Sequence, residues 1–163
     1  MPVRTSVDVH NFLIERDAPH EVFLARGRLR SPERLAAVLD LPRQEVGKVQ
    51  VYEGSGRLVA AVVPSGTDPD DDLVREAAGA NELEPASDVR ASEATEYLAE
   101  SIPPAGLPNG FEVVVDRSLD RNHVLYFPGG EARAVLKIRG ADLVRATGAT
   151  VASIVRGSGG GGR

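Results

Sequence analysis

The sequence predicts an α+β fold: one compact domain with a mainly antiparallel or mixed β-sheet and surrounding helices. Three observations predict it. An apolar hairpin occupies VQVYEGSGRLVAAVV, a second strand pair is joined by PGG at Pro128 to Gly130, and helix signals fall between strands without a regular βαβ rhythm. With 163 residues, 42% hydrophobic and 26% charged, the chain is long enough to bury one sizeable core. Residues 1–156 read as the domain and 157–163, GSGGGGR, as a flexible Gly-rich tail.

The elements follow in order. Ser6 to Ala18 carries Val9, Phe12 and Leu13 at helical spacing, and DAP at Asp17 to Pro19 ends it. Glu21 to Leu24 is short and β-prone. Ser31 and Pro32 supply an N-cap and a first-turn proline for a helix through Leu39 with an apolar face of Leu35, Val38 and Leu39. Val46 to Tyr52 and Leu58 to Val63 form the hairpin, which Pro64 stops. The acidic run TDPDDD suits the positive end of a helix over Leu73 to Ala78; it lacks the glycine turn and distal glutamate of a calcium loop. Ser87 to Ala99 reads as a helix. The stiff connection ESIPPAGLPNG leads to a buried strand, Phe111 to Val115, ending at Asp116. His123 to Phe127 and Ala134 to Ile138 are strands, and Ala141 to Ala146 is the last helix.

Composition then removes whole classes of function. There is no cysteine, hence no disulfide, thiolate nucleophile or Cys-ligated zinc. No apolar run approaches the roughly 18 residues that span a bilayer. The start MPVRTSVDVH has no hydrophobic signal core, which reads as a soluble cytoplasmic protein with no membrane role. A net charge of −5 argues against a broad nucleic-acid coat, although Arg26, Arg28, Arg30 and Arg34 cluster in ARGRLRSPER. That cluster is open to two readings, a solvated loop or a meeting point for phosphates. His10, His20 and His123 are scattered without metal-binding or triad spacing. Phosphate-binding loop, dinucleotide and G-x-S-x-G patterns are absent.

One residue stands out against this background. Only two of the 19 basic residues are lysines, Lys48 and Lys137, and Lys48 heads the apolar hairpin. An ammonium is a compact point charge where arginine is a wide planar fork, so either the site requires lysine or Lys48 merely extends from a strand end into water. The other features that survive shape backbone: PSG after the second strand, PPAG in the long loop, Asp116 at a strand end, and PGG. Such a set builds pockets from main-chain amides.

In order, DAPHEVF, GKVQVYEGSGRLVAAVVPSG, ESIPPAG, Val113 to Asp116 and PGGEARAVLKIRGADLVRATGA resemble the motifs of the YbaK family of aminoacyl-tRNA deacylases, whose relatives include domains inserted in bacterial prolyl-tRNA synthetases. The resemblance runs from about Phe12 to Ile154 by motif order. It implies a trans-acting hydrolase that cleaves the ester of mischarged tRNA, typically proline tRNA carrying alanine or cysteine, without cofactor, metal or protein nucleophile. Attack would come from water or from a substrate hydroxyl or thiol.

By the same resemblance the catalytic positions are Lys48, which positions the terminal adenosine or ester, and Gly106 in the amide-bearing loop. Pro64, Ser65, Ser101, Pro104, Asp116, Gly129 and Gly130 would line the substrate site. Pro64 and Ser65 equally serve as a strand end, Asp116 as a cap, and the glycines as a turn. Implied partners are mischarged tRNA and a prolyl-tRNA synthetase, with the protein a monomer or homodimer. Glu100 and Ser101 stand where the family loop begins with glycines, and Glu131 and Arg133 where some relatives place a histidine, so pocket shape and substrate choice are expected to differ. The competing reading is a non-catalytic module of the same fold that binds tRNA, a synthetase or an aminoacyl-like ligand. A generic esterase ranks last, because no nucleophile is signalled.

Overall fold

The computed structural model describes residues 2–156, so the expected Gly-rich tail, 157–163, lies outside the described residues. Two sheets share the work. The first orders its strands β1-β7-β6: β1 (His20–Leu24) and β6 (Val124–Pro128) both pair antiparallel with the central β7 (Ala134–Arg139). The second runs β4-β2-β3-β5-β8, over Glu84–Pro85, Gly47–Gly54, Arg57–Pro64, Phe111–Asp116 and Thr150–Ala152. The hairpin β2 and β3 is antiparallel, whereas β5 joins β3 in parallel and β8 joins β5 in parallel. The sheet is therefore mixed, and the domain has the expected α+β architecture.

Helices cover both faces of the larger sheet. α1 (Ser6–Glu15), α4 (Asp88–Thr95) and α5 (Gly140–Thr147) enclose a core in which Val9, Leu13, Ala91 and Leu143 meet Val51, Val62 and Val115, together with Leu125, Phe127, Leu136 and Ile138 of the smaller sheet. α3 (Asp71–Ala78) packs Val74 on the opposite face, against Tyr52, Val59, Ala61, Val63 and Val114. α2 (Pro32–Leu39) closes a third cluster of Ala25, Leu29, Leu35, Ala36, Val46 and Val135. Alternate residues of β5 thus enter different cores, as its apolar run predicted.

Several boundaries differ from the sequence reading, each for a physical reason. α1 stops at Glu15, short of Ala18, because Asp17 adopts a left-handed φ of 55°. α4 ends at Thr95, four residues early, where Glu96 turns left-handed and delivers Tyr97 into the core. α2 begins as expected, with Ser31 Oγ accepting from the Arg34 amide, but it buries Leu35 and Ala36 and leaves Val38 42% exposed. His123 lies just outside β6. The two-residue β4 and three-residue β8 had no signal of their own. The acidic run is distributed: Asp70 caps α3, Asp71 accepts from the Tyr52 hydroxyl at 2.6 Å, and Asp72 pairs with Arg75.

The two sheets meet at the start of β2. Val46 forms an isolated parallel bridge with Tyr126, and a methyl group at Gly47 would sit 2.1 Å from the Phe127 ring. Only glycine allows that approach. Gly47→Ala is therefore expected to destabilise the fold by about 1–3 kcal/mol, the usual cost of overpacking, while Gly27→Ala, facing open space, changes little. Denaturant midpoints of the two variants check this.

Candidate functional site

Lys48 is the second residue of β2, and its side chain is 20% exposed. Its ammonium donates to Asp68 Oδ1 at 3.0 Å and lies 3.6 Å from Glu33 Oε2. Glu33 sits in the first turn of α2, and the same Oε2 accepts from the Gly66 amide at 3.1 Å. Burial raises the Glu33 carboxyl, but the Gly66 hydrogen bond and the Lys48 charge more than offset it, holding the group below the ordinary carboxylate range. Asp68 is 90% exposed, so its ion pair is weak and exchangeable. Lys48 is thus held by one anchored and one loose carboxylate.

Pro64 and Ser65 build the floor beside it. Ser65 is buried; its amide donates to Val46 O at 2.7 Å and its hydroxyl to Arg43 O at 3.0 Å, while Pro64 O accepts from the Thr67 hydroxyl at 2.6 Å. Both side chains shape the turn that carries Gly66 and Asp68. Asp116 is engaged within the fold: Oδ1 accepts from the Ile154 amide at 2.9 Å, and Oδ2 from the amide and hydroxyl of Ser118. Of the two roles the sequence left open for Asp116, substrate contact and cap, these hydrogen bonds are those of a cap.

The remaining candidates form a second cluster. Residues 101–106 are all buried, and Gly130 donates its amide to Ser101 O at 3.0 Å. Gly129 donates to Ala134 O at 2.9 Å across the turn. Gly106 (φ 79°) and Gly130 (φ 98°) occupy the left-handed region that glycine alone enters without strain, and both lie against Tyr97 and the start of α1. Tyr97 donates its hydroxyl to Gly106 O at 2.7 Å, and burial pushes that hydroxyl's titration far up, keeping the donor protonated. Pro104 stiffens the loop between these anchors.

The loop's amides fall into two groups. The Ser101 amide is used by Leu98 O, and Pro103 and Pro104 have none. The amides of Ile102, Ala105 and Gly106 donate to no acceptor among the described residues. Buried amides are rarely left so, and a site for developing negative charge uses this kind of donor. Ser101 Oγ is likewise buried with no hydrogen-bond partner among the described residues.

The structure does not bring Lys48 into contact with this loop. Lys48 pairs with Val63 across the hairpin and shares its face, the one covered by α3, whereas Ile102 and Ala105 pack with α1 on the other. The connection runs around the sheet end: Glu100 Oε2 accepts from Arg28 Nε at 2.7 Å, and Leu29 donates to Ala132 O next to the Gly129–Gly130 turn. Sequence reasoning missed Glu33, Asp68, Tyr97 and the Arg28–Glu100 pair. All are charge or hydroxyl partners supplied by distant segments, and spacing carries no signal for them. It also missed that His10 and His20 bond each other at 2.9 Å, with His20 Nδ1 on Ala18 O, away from either cluster.

The described residues thus carry two clusters, Lys48 with its carboxylates at one sheet edge and the proline-stiffened 101–106 loop with amides that meet no acceptor. The profile of the aminoacyl-tRNA editing domain matches residues 27–146, so the chain belongs to that family. Among solved structures, the hypothetical protein APE2540 superposes with a TM-score of 0.85 at 28% identity, over 91% of this chain and 99% of the other. A crystal structure described as a candidate trans-editing enzyme for prolyl tRNA synthetase superposes with a TM-score of 0.81 at 20% identity, covering 96% and 100%. No curated protein matches significantly. No helix of the described residues is long and apolar enough to cross a membrane.

Two outcomes are expected of the site itself. Ser101→Ala deletes an orphaned hydroxyl and should leave stability unchanged or raise it by up to about 1 kcal/mol, read from thermal melts. Because the folded Glu33 pKa is depressed, its contribution is present above the unfolded value of about 4.3 and is lost as pH falls through the folded value. The Tm gap between wild type and Glu33→Gln should therefore be full at pH 7 and close at acid pH.

Proposed function

We propose that the protein is a trans-acting aminoacyl-tRNA deacylase that hydrolyses the ester of mischarged tRNA, with alanyl- and cysteinyl-proline tRNA the first substrates to try and a prolyl-tRNA synthetase as its functional partner. The observation that carries this reading is that the editing-domain match spans both Lys48 and the 101–106 loop, in a chain without cysteine.

The chemistry asked of the protein is modest. An aminoacyl ester is activated, so orientation and oxyanion stabilisation supply most of the acceleration. Lys48 exchanges the exposed Asp68 for the phosphate or ribose of the terminal adenosine, while Glu33 keeps the ammonium in place. The free amides of Ile102, Ala105 and Gly106 are the donors available to the carbonyl oxygen as water, or a substrate hydroxyl or thiol, adds to the carbonyl carbon. Collapse of the tetrahedral adduct releases the ribose hydroxyl. Because the two clusters lie on opposite faces of the larger sheet, this reading requires the terminal nucleotide to pass around the sheet end.

One observation favours the non-catalytic reading: the Glu100–Arg28 ion pair occupies the loop entrance where family members carry glycine. Release of labelled amino acid from alanyl-, cysteinyl- and seryl-proline tRNA by wild type and Lys48→Ala separates the two. Turnover of one substrate, falling about 100-fold in the variant, is the expected result, a loss on the scale of one transition-state donor. Binding without turnover across the panel assigns the protein as a module instead.

A further inference from the structure

Positive charge on this acidic protein is mostly spent internally. Arg57 pairs with Glu112, Arg75 with Asp72 and Glu84, Arg90 with Glu53 and Glu93, and Arg156 with Asp70. Arg117, Arg121, Arg133 and Arg139 have no carboxylate partner among the described residues, Arg133 and Arg139 donating to carbonyls instead, and four more such arginines fall close together within residues 26–43. Arg26, Arg30, Arg34 and Arg43 are exposed and have no acidic partner among the described residues.

The fold presents them deliberately. The segment between β1 and α2 is pinned at both ends, Ala25 donating to Arg133 O and Leu29 to Ala132 O, each at 2.7 Å. Ala25 and Leu29 are buried, so Arg26 and Arg30 are turned outward. Arg34 follows on the exposed side of α2, and Arg43 lies over Gly66, where its Cδ would be 2.8 Å from an added methyl group. Three of the acids nearby are already committed, Glu33 to Lys48 and Gly66, Glu100 to Arg28, and Glu131 to the Ser6 amide, whereas Asp40 and Glu45 pair with no cation among the described residues. Arg43 reaches the Lys48 edge through Gly66, whose amide donates to the Glu33 carboxylate beside the ammonium.

The geometry points to this rim, Arg26, Arg30, Arg34 and Arg43, as the docking surface for the phosphate backbone of the acceptor stem of tRNA, with Lys48 at its inner end. The inference rests on the editing reading for its choice of RNA. Arginine forks suit phosphate oxygens, and a row of them beside the site positions a duplex without reading its sequence. A local rim on a chain of net charge −5 also restricts RNA to one face.

The test measures binding of uncharged tRNA and of an acceptor-stem hairpin to the full chain across a salt series. Three proteins are compared: wild type, the triple variant Arg26→Gln, Arg30→Gln, Arg34→Gln, and the same three positions changed to Lys, with circular dichroism confirming each fold. The Gln variant is expected to weaken both ligands at least about tenfold at 100 mM salt and to lower the salt slope by ~2 to 3, while the Lys variant retains most of the affinity and slope. An unchanged Kd and slope in the Gln variant overturns the proposal. So does wild-type binding of heparin or anionic lipid vesicles as tight as that of the hairpin. Uncharged ligands separate this outcome from the deacylase reading: rim-dependent tRNA binding without hydrolysis of any charged tRNA would sink the activity and leave the surface standing.

Discussion

The approach of Gly47 to the Phe127 ring is the contact from which the candidate site takes its position. It lets the smaller antiparallel sheet abut the edge of the larger mixed one, with Val46 bridging to Tyr126. Lys48 follows one residue later, and Pro128 to Gly130 follow Phe127 on the other strand, so one close approach fixes the origin of both clusters. A side chain at position 47 would separate the sheets by about its own thickness, and both clusters would move with them.

Most of this architecture was legible in the sequence because it rests on local signals. Ser31-Pro32 marked the start of α2, Pro64 the end of β3, and the alternation around EGSGR the hairpin. What escaped was set by tertiary contact. Glu96 ends α4 because the fold requires Tyr97 inside, and no helix stop signal precedes it. β8 exists because β5 offers an open edge and Asp116 catches the amide of Ile154 just beyond β8. For the site, Lys48 was visible through its rarity and the glycines through their turns, but the carboxylates that hold Lys48 come from α2 and from the 65–70 turn, at sequence distances where pattern carries no information.

The chemistry of the two clusters is complementary. Around Lys48 the interactions are ionic and partly exposed, and so can be exchanged for a ligand's charge at little cost. Around Gly106 the loop is buried, with Tyr97 and the Arg4 guanidinium both donating to its carbonyl while neighbouring amides stay unused.

Asp116 carries a consequence of its own. Both carboxylate oxygens receive hydrogens, from Ile154 on one side and Ser118 on the other. A carboxamide of nearly the same shape would offer one oxygen to two sets of donors and turn its own hydrogens toward one of them. The closing segment of the domain is therefore fastened by the hydrogen-bonding polarity of one side chain rather than by the space it fills.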